Sequence, residues 1–166
     1  MRQDEITNIN IAYRSIDDLR GKSILLVNSQ NIAEKLKSYQ KNIKEVSITK
    51  VLPDGLHISI QSYKSIFNIK MNDKTYLVTE NGVLAPGKFE SELPELKMLD
   101  KNKKVPIILD YKQILSPVSI ANIYLIYDKL KANLIGISLK DIYYFSQERE
   151  LHVDLENGTK LIFDLE

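Results

Sequence analysis

Two short alternating runs, at residues 44–50 and 56–62, constrain this chain more than any other feature. Apolar side chains recur at every second position, Val46 and Ile48 in the first run and Leu56, Ile58 and Ile60 in the second. That is the pattern of strands with one buried face. Register then restricts the turn between them. A four-residue connection would set Val46 and Ile48 on the face opposite to Ile58 and Ile60, whereas an odd-length connection puts them all on one face. Val51-Leu-Pro-Asp-Gly55 therefore reads as a five-residue connection, with Pro53 and Gly55 supplying the turn chemistry.

A sheet with one apolar face needs a cover, and the preceding residues supply it. A helix beginning at Asn28 or Ser29 and reaching about Gln40 places Ile32, Ala33, Leu36 and Tyr39 on one face. Lys35, Lys37 and Lys41 fall on its solvated side or in its last turn. Upstream, the alternation from Ile6 to Ile11 reads as a short strand. Ser15 as a cap, Asp17 and Asp18 near a positive helix end, and Gly21 as a terminator read as one or two helical turns. The first domain, residues 1–64, is thus a β-α-α-β-β unit whose helices cover one face of a small sheet.

From Ile66 the chain changes to strands and turns. Residues 66–71 and 75–79 read as a hairpin around Asn72-Asp73-Lys74, and Asn81-Gly82 marks a further turn. Residues 85–88 and 92–94 read as irregular chain, and 100–104 as a polar loop. Ser116-Pro117 is a helix start, serine capping and proline at the first helical position. That helix is expected to reach about Asn133 with Ile120, Ile123, Tyr124, Tyr127, Leu130 and Leu134 toward the core. Three strands close the sequence, at 138–145, 150–155 and 159–165. Leu151, Val153 and Leu155 align with Leu161 and Phe163 only if Glu156-Asn-Gly158 is a three-residue loop with Gly158 in a bulge. The fold class is α+β, with a mostly antiparallel β domain carrying one long helix over residues 65–166.

The chemistry of the side chains excludes much. With no cysteine, there is no thiol nucleophile, cysteine zinc site or disulfide. A net charge of +1, from 23 basic and 22 acidic residues, argues against a nucleic-acid binder. His57 and His152 each sit between apolar residues on a strand and read as ordinary exposed histidines without converging metal ligands. Glu90, Glu92 and Glu95 lie in a proline-containing loop with no base beside them. No phosphate-binding glycine loop or nucleophile elbow appears. The expectation is a non-catalytic module with no cofactor and no metal.

The order of elements resembles a known family. Gly21-Lys-Ser-Ile-Leu-Leu-Val-Asn28, an amphipathic helix, and Ile43-Lys-Glu-Val-Ser-Ile-Thr-Lys50 resemble a POTRA domain. Lys50-Val-Leu-Pro-Asp-Gly-Leu-His-Ile-Ser-Ile60 is similar to the corresponding segment of the FtsQ/DivIB cell-division proteins. Tyr76-Leu-Val-Thr-Glu-Asn-Gly82, Leu93-Pro-Glu-Leu96, the helix at Ser116 and Leu151-His-Val-Asp-Leu-Glu-Asn-Gly158 continue the resemblance. Ser62 and Ser65 stand where the family carries glutamate and proline, and Thr79 where it carries aspartate. The family's preceding membrane span and final segment have no counterpart in the sequence.

The resemblance implies a divisome scaffold without chemistry of its own. Its partners would be FtsB/FtsL-like coiled-coil membrane proteins and septal synthase components. It would stand on the extracytoplasmic side of the bacterial inner membrane at the septum, anchored by an N-terminal helix. The alternatives are a docking module of outer-membrane assembly or secretion, and a soluble small-ligand-binding protein. The expected partner surface is the last strand: Thr159, Lys160, Leu161, Ile162, Phe163 and Asp164, with Tyr124 and Tyr127 from the helix. Hairpin register turns Leu161, Phe163 and Leu165 inward and leaves Lys160, Ile162 and Asp164 facing outward, along an edge open to strand addition.

Overall fold

The computed structural model describes residues 7–53, 55–71, 74–99 and 110–165. The polar stretch at 100–104, Asn72, Asp73 and Asp54 lie outside the described residues. The chain has mixed α+β structure and divides into two compact units, Met1–Lys64 and Ser65–Glu166.

Among the described residues the first unit opens with a helix where the alternation at 6–11 led to the expectation of a strand; Ile6 itself lies outside the described residues. Helix α1 spans Ile9–Ser15, and the Asn8 side chain accepts hydrogen bonds from the Asn10 and Ile11 amides at 3.0 and 3.3 Å. The Gln40 side chain explains the outcome. It accepts from the Asn8 amide at 2.8 Å and donates to the Asn8 carbonyl at 3.0 Å, satisfying at long range the groups that a strand would have paired. Ala12 and Ile16, one helical turn apart, then face the core. Ser15 caps nothing: its hydroxyl donates to the Ala12 carbonyl at 2.7 Å within α1. Two single 3-10 turns follow, Asp17–Leu19 and Ile24–Leu26.

Helix α2 spans Ser29–Tyr39 and is capped by Asn28, whose side chain accepts from the Gln30 and Asn31 amides. Ile32 and Leu36 are buried, but Tyr39 is 56% exposed, so the apolar face ends one turn earlier than its spacing predicts. Strands β1 (Ile43–Val51) and β2 (Gly55–Ser62) pair antiparallel with Ile48 opposite Ile58 and Val46 opposite Ile60. All four therefore share the face toward Ile32 and Leu36. Val51 and Gly55 themselves pair, so the connection is three residues rather than five; its odd parity is what fixes the face.

Among the described residues the second unit holds two sheets and helix α3 (Pro117–Asn133). One sheet is the antiparallel set β3 (Ser65–Met71), β4 (Lys74–Thr79) and β5 (Leu84–Pro86). The other runs β6 (Lys97–Leu99), β7 (Leu139–Phe145), β8 (Glu150–Leu155) and β9 (Lys160–Asp164), with β6 parallel to β7 and the rest antiparallel. Two expectations change here. Lys74 belongs to β4 rather than to the turn, and 84–86 is a short strand that overlaps the irregular chain expected at 85–88; 97–99, for which no element was expected, is another. Three residues are too few to show a period, and Pro86 disguises the first of them.

Asn68 joins the two sheets. Fully buried on β3, it pairs with Glu95 in a parallel bridge; its amide donates to the Pro94 carbonyl and its carbonyl accepts from the Leu96 amide, both at 2.8 Å. Its side chain donates to the Glu90 and Leu93 carbonyls at 2.7 and 2.8 Å and accepts from the Glu90 amide at 3.0 Å. The loop that reads as a free acidic stretch is thus tied down at three points. Gly82, at φ +77°, brings the 79–83 turn against the backbone of Leu115; a Cβ there would stand 2.1 Å from the Leu115 carbonyl oxygen. Ser116 caps α3 by accepting from the Ser119 amide at 2.9 Å, with Pro117 first in the helix. Ile120 and Ile123 enter a core with Phe67, Ile69, Leu84, Leu96 and Leu151, whereas Tyr124 stays 40% exposed at its margin.

Candidate partner-binding edge

Strand β9 is an outer strand of its sheet and, among the described residues, pairs only with β8. The hairpin has the expected three-residue loop. The Leu155 amide donates to the Thr159 carbonyl at 2.9 Å, the Gly158 amide to the Leu155 carbonyl at 3.0 Å, and Gly158 has φ +85°. At the other end the Leu165 amide donates to the Arg149 carbonyl at 3.0 Å. Backbone groups alternate in direction along an antiparallel strand, so Thr159, Leu161, Phe163 and Leu165 turn theirs toward β8. Lys160 and Ile162 aim theirs away from it. Leu161, Phe163 and Leu165 pack on the core, while Ile162 is 58% exposed on the outer face and Lys160 and Asp164 flank it.

The outer face of the sheet is a row of aromatic and paired charged groups. Lys97, Tyr143, His152 and Ile162 lie side by side across its four strands. Lys97 Nζ donates to Asp141 at 2.6 Å and stands 5.3 Å from the Tyr143 ring, and the Tyr143 hydroxyl donates to Asp141 at 3.2 Å. The hydrogen bond between them raises the Lys97 pKa and holds the Asp141 carboxyl below the ordinary carboxylate range. His152 is not the exposed histidine of the sequence reading. Its ring lies tilted against Phe145, centroids 4.4 Å apart, and its Nε2 lies 2.8 Å from Glu150, which leaves it mostly covered. His57 is exposed on β2. Tyr143 and Phe145 were not singled out as surface residues, although their period-two spacing already sets them on one face.

Tyr124 and Tyr127 of α3 pack against one another and against β3. Both meet Phe67 of β3 edge-on, with ring centroids 6.1 Å apart in each pair. Tyr127 also lines a groove of about 520 Å³ with Pro94, Lys97, Lys131, Leu134 and Asp141, beside β6 at the opposite end of the sheet from β9. A second groove, of about 510 Å³ in the first unit, is lined by Leu19, Lys22, Leu26, Asn31 and the pair Asp18–Lys35, 2.8 Å apart. Among the described residues no three histidine, aspartate or glutamate side chains converge as metal ligands. No described helix is long and apolar enough to cross a membrane.

The first unit, with its capped helices packed on one face of the β1–β2 hairpin, is the part that can be placed by comparison. Residues 5–63 match the family model described as POTRA domain, FtsQ-type. The N-terminal unit is an FtsQ-type POTRA domain. Within it the matched segment spans α1, α2, β1 and β2, and so includes the Asn8–Gln40 clamp and the Ile58 core. No curated protein matches the chain.

Proposed function

We propose that this chain is a non-catalytic scaffold of bacterial cell division, standing on the extracytoplasmic side of the inner membrane at the septum. In this reading residues 65–166 are the FtsQ-type β domain that accompanies the POTRA domain. The strand β9 receives an extended segment from a small coiled-coil membrane protein of the FtsB/FtsL type. The match of residues 5–63 to the FtsQ-type POTRA model carries the proposal. The outward backbone groups of Lys160 and Ile162 supply its mechanism: a partner strand hydrogen-bonds to them and extends the sheet. The Lys160–Asp154 ion pair beside that edge is internal to the chain.

The test is backbone amide exchange with and without a synthetic peptide from the membrane-distal part of an FtsB-type protein. Protection is expected at Lys160 and Ile162, and Ile162→Pro, which deletes an outward N–H, should remove it. Protection confined to residues 7–63 overturns the assignment to β9.

A further inference from the structure

The charge order along β9 is palindromic with respect to strand pairing. Its outward positions read Lys160, Ile162, Asp164, a cation and an anion equally spaced about an apolar centre. We infer that β9 also pairs antiparallel with β9 of a second copy of this chain, about a two-fold axis through Ile162. The inference rests on the reading of β9 as a strand-accepting edge and names a second occupant of it.

The register follows from parity and charge. Only the even-numbered residues turn their backbone groups outward, so even positions must face even positions. Centring the pair on Lys160 or on Asp164 sets like charges against each other, which is destabilising. Matching Lys160 or Asp164 to Ile162 sets a charged side chain against an apolar one. Centring on Ile162 places Ile162 against Ile162 and Lys160 against Asp164 of the second copy, twice. The inward face agrees: in that same register Leu161 of one copy lies opposite Phe163 of the other, so the apolar layer continues across the axis. Lys160 already lies 3.4 Å from Asp154 of its own sheet, so a second carboxylate would complete a three-charge chain.

Five residues of paired strand bury far less than the roughly 1,000 Å² of a stable interface. The self-pair is therefore weak and concentration-dependent. It uses the same backbone groups as a partner strand, so the two exclude each other, and partner binding separates the copies.

The absence of cysteine makes the register directly testable by disulfide trapping in the full chain under a copper–phenanthroline oxidant. Ile162→Cys should give a covalent dimer, because opposed residues stand within disulfide reach. Lys160→Cys alone and Asp164→Cys alone should stay monomeric, since each thiol faces a different position. Mixing the two should give the dimer, at least tenfold faster than either alone. Sedimentation of the unmodified chain should show mean mass rising with concentration, and Lys160→Asp should cancel that rise while Lys160→Asp combined with Asp164→Lys restores it. Equal trapping by all single variants, or a unit-mass species at every concentration, overturns self-pairing. If the FtsB-type peptide still protects Lys160 and Ile162 in that case, the partner reading stands; if self-pairing is seen and the peptide does nothing, the partner reading fails alone.

Discussion

Asn68→Ala should destabilise the second unit more than any surface change. The side chain is fully buried and makes three hydrogen bonds, two given to the Glu90 and Leu93 carbonyls and one accepted from the Glu90 amide. Truncation leaves the Glu90 amide and the Leu93 carbonyl without this partner, while the Glu90 carbonyl keeps the Leu93 amide at 3.1 Å. At about 1 kcal/mol for each stranded group the loss is ~2 kcal/mol. For a unit of this size each kcal/mol lowers the melting temperature by roughly 4–8 °C, so a drop of about 8–16 °C is expected. Calorimetry of the whole chain measures it, and the amide exchange of Leu96 and Met98 assigns it to this unit, since Leu96 donates to the Asn68 carbonyl. Asn68→Asp separates hydrogen bonding from shape. It keeps the acceptor for the Glu90 amide but turns a carboxylate oxygen toward two carbonyls, so it should be worse than alanine despite its better fit. A melting temperature within about 3 °C of the parent for Asn68→Ala, or an aspartate variant more stable than the alanine one, refutes the reasoning.

Ile58→Asp places a carboxylate among Ile32, Leu36 and Ile60 and should unfold the POTRA unit, costing several kcal/mol; loss of protection across β1 and β2 in exchange measurements checks it. Gly82→Ala should cost roughly 2–4 kcal/mol, from a left-handed φ and a Cβ driven against the Leu115 carbonyl, whereas Gly158→Ala, with the same sign of φ but open space, should cost only about 1–2 kcal/mol in urea denaturation. Asp141 has its carboxyl pKa lowered by Lys97, so the stability it contributes is complete above the ordinary carboxylate value and is lost as pH falls through the lowered one. Urea midpoints of the parent and Asp141→Asn should therefore differ at neutral pH and converge in acid.

What the sequence disclosed and what it hid divide along the range of the forces involved. Asn28 before α2, Ser116-Pro117 before α3 and the Glu156-Asn-Gly158 loop act on their immediate neighbours, and all three are where their residues predict. The faces of β1 and β2 followed from parity, which survives a misjudged loop length. The helix at Ile9–Ser15 was misread because Gln40, far along the chain, holds the Asn8 backbone. Asn68 gave no warning either, since a single asparagine in an apolar strand looks like a surface position until the 90–95 loop closes over it. In the candidate site the outward order of Lys160, Ile162 and Asp164 was legible, but the packing of Tyr124 and Tyr127 on Phe67 was not. Their position depends on Phe67, which local pattern does not connect to α3.

The parallel pairing of β6 with β7 has a kinetic consequence. Partners in the β7-β8-β9 meander lie about ten residues apart, while Lys97 must find Tyr143 across more than forty, with α3 between them. Short loops close first, so the meander with its β9 edge assembles early and β6 arrives only once α3 has docked. During refolding the bare strand is therefore β7, at the far side from β9, and its amides should gain protection on the β8 side before the β6 side.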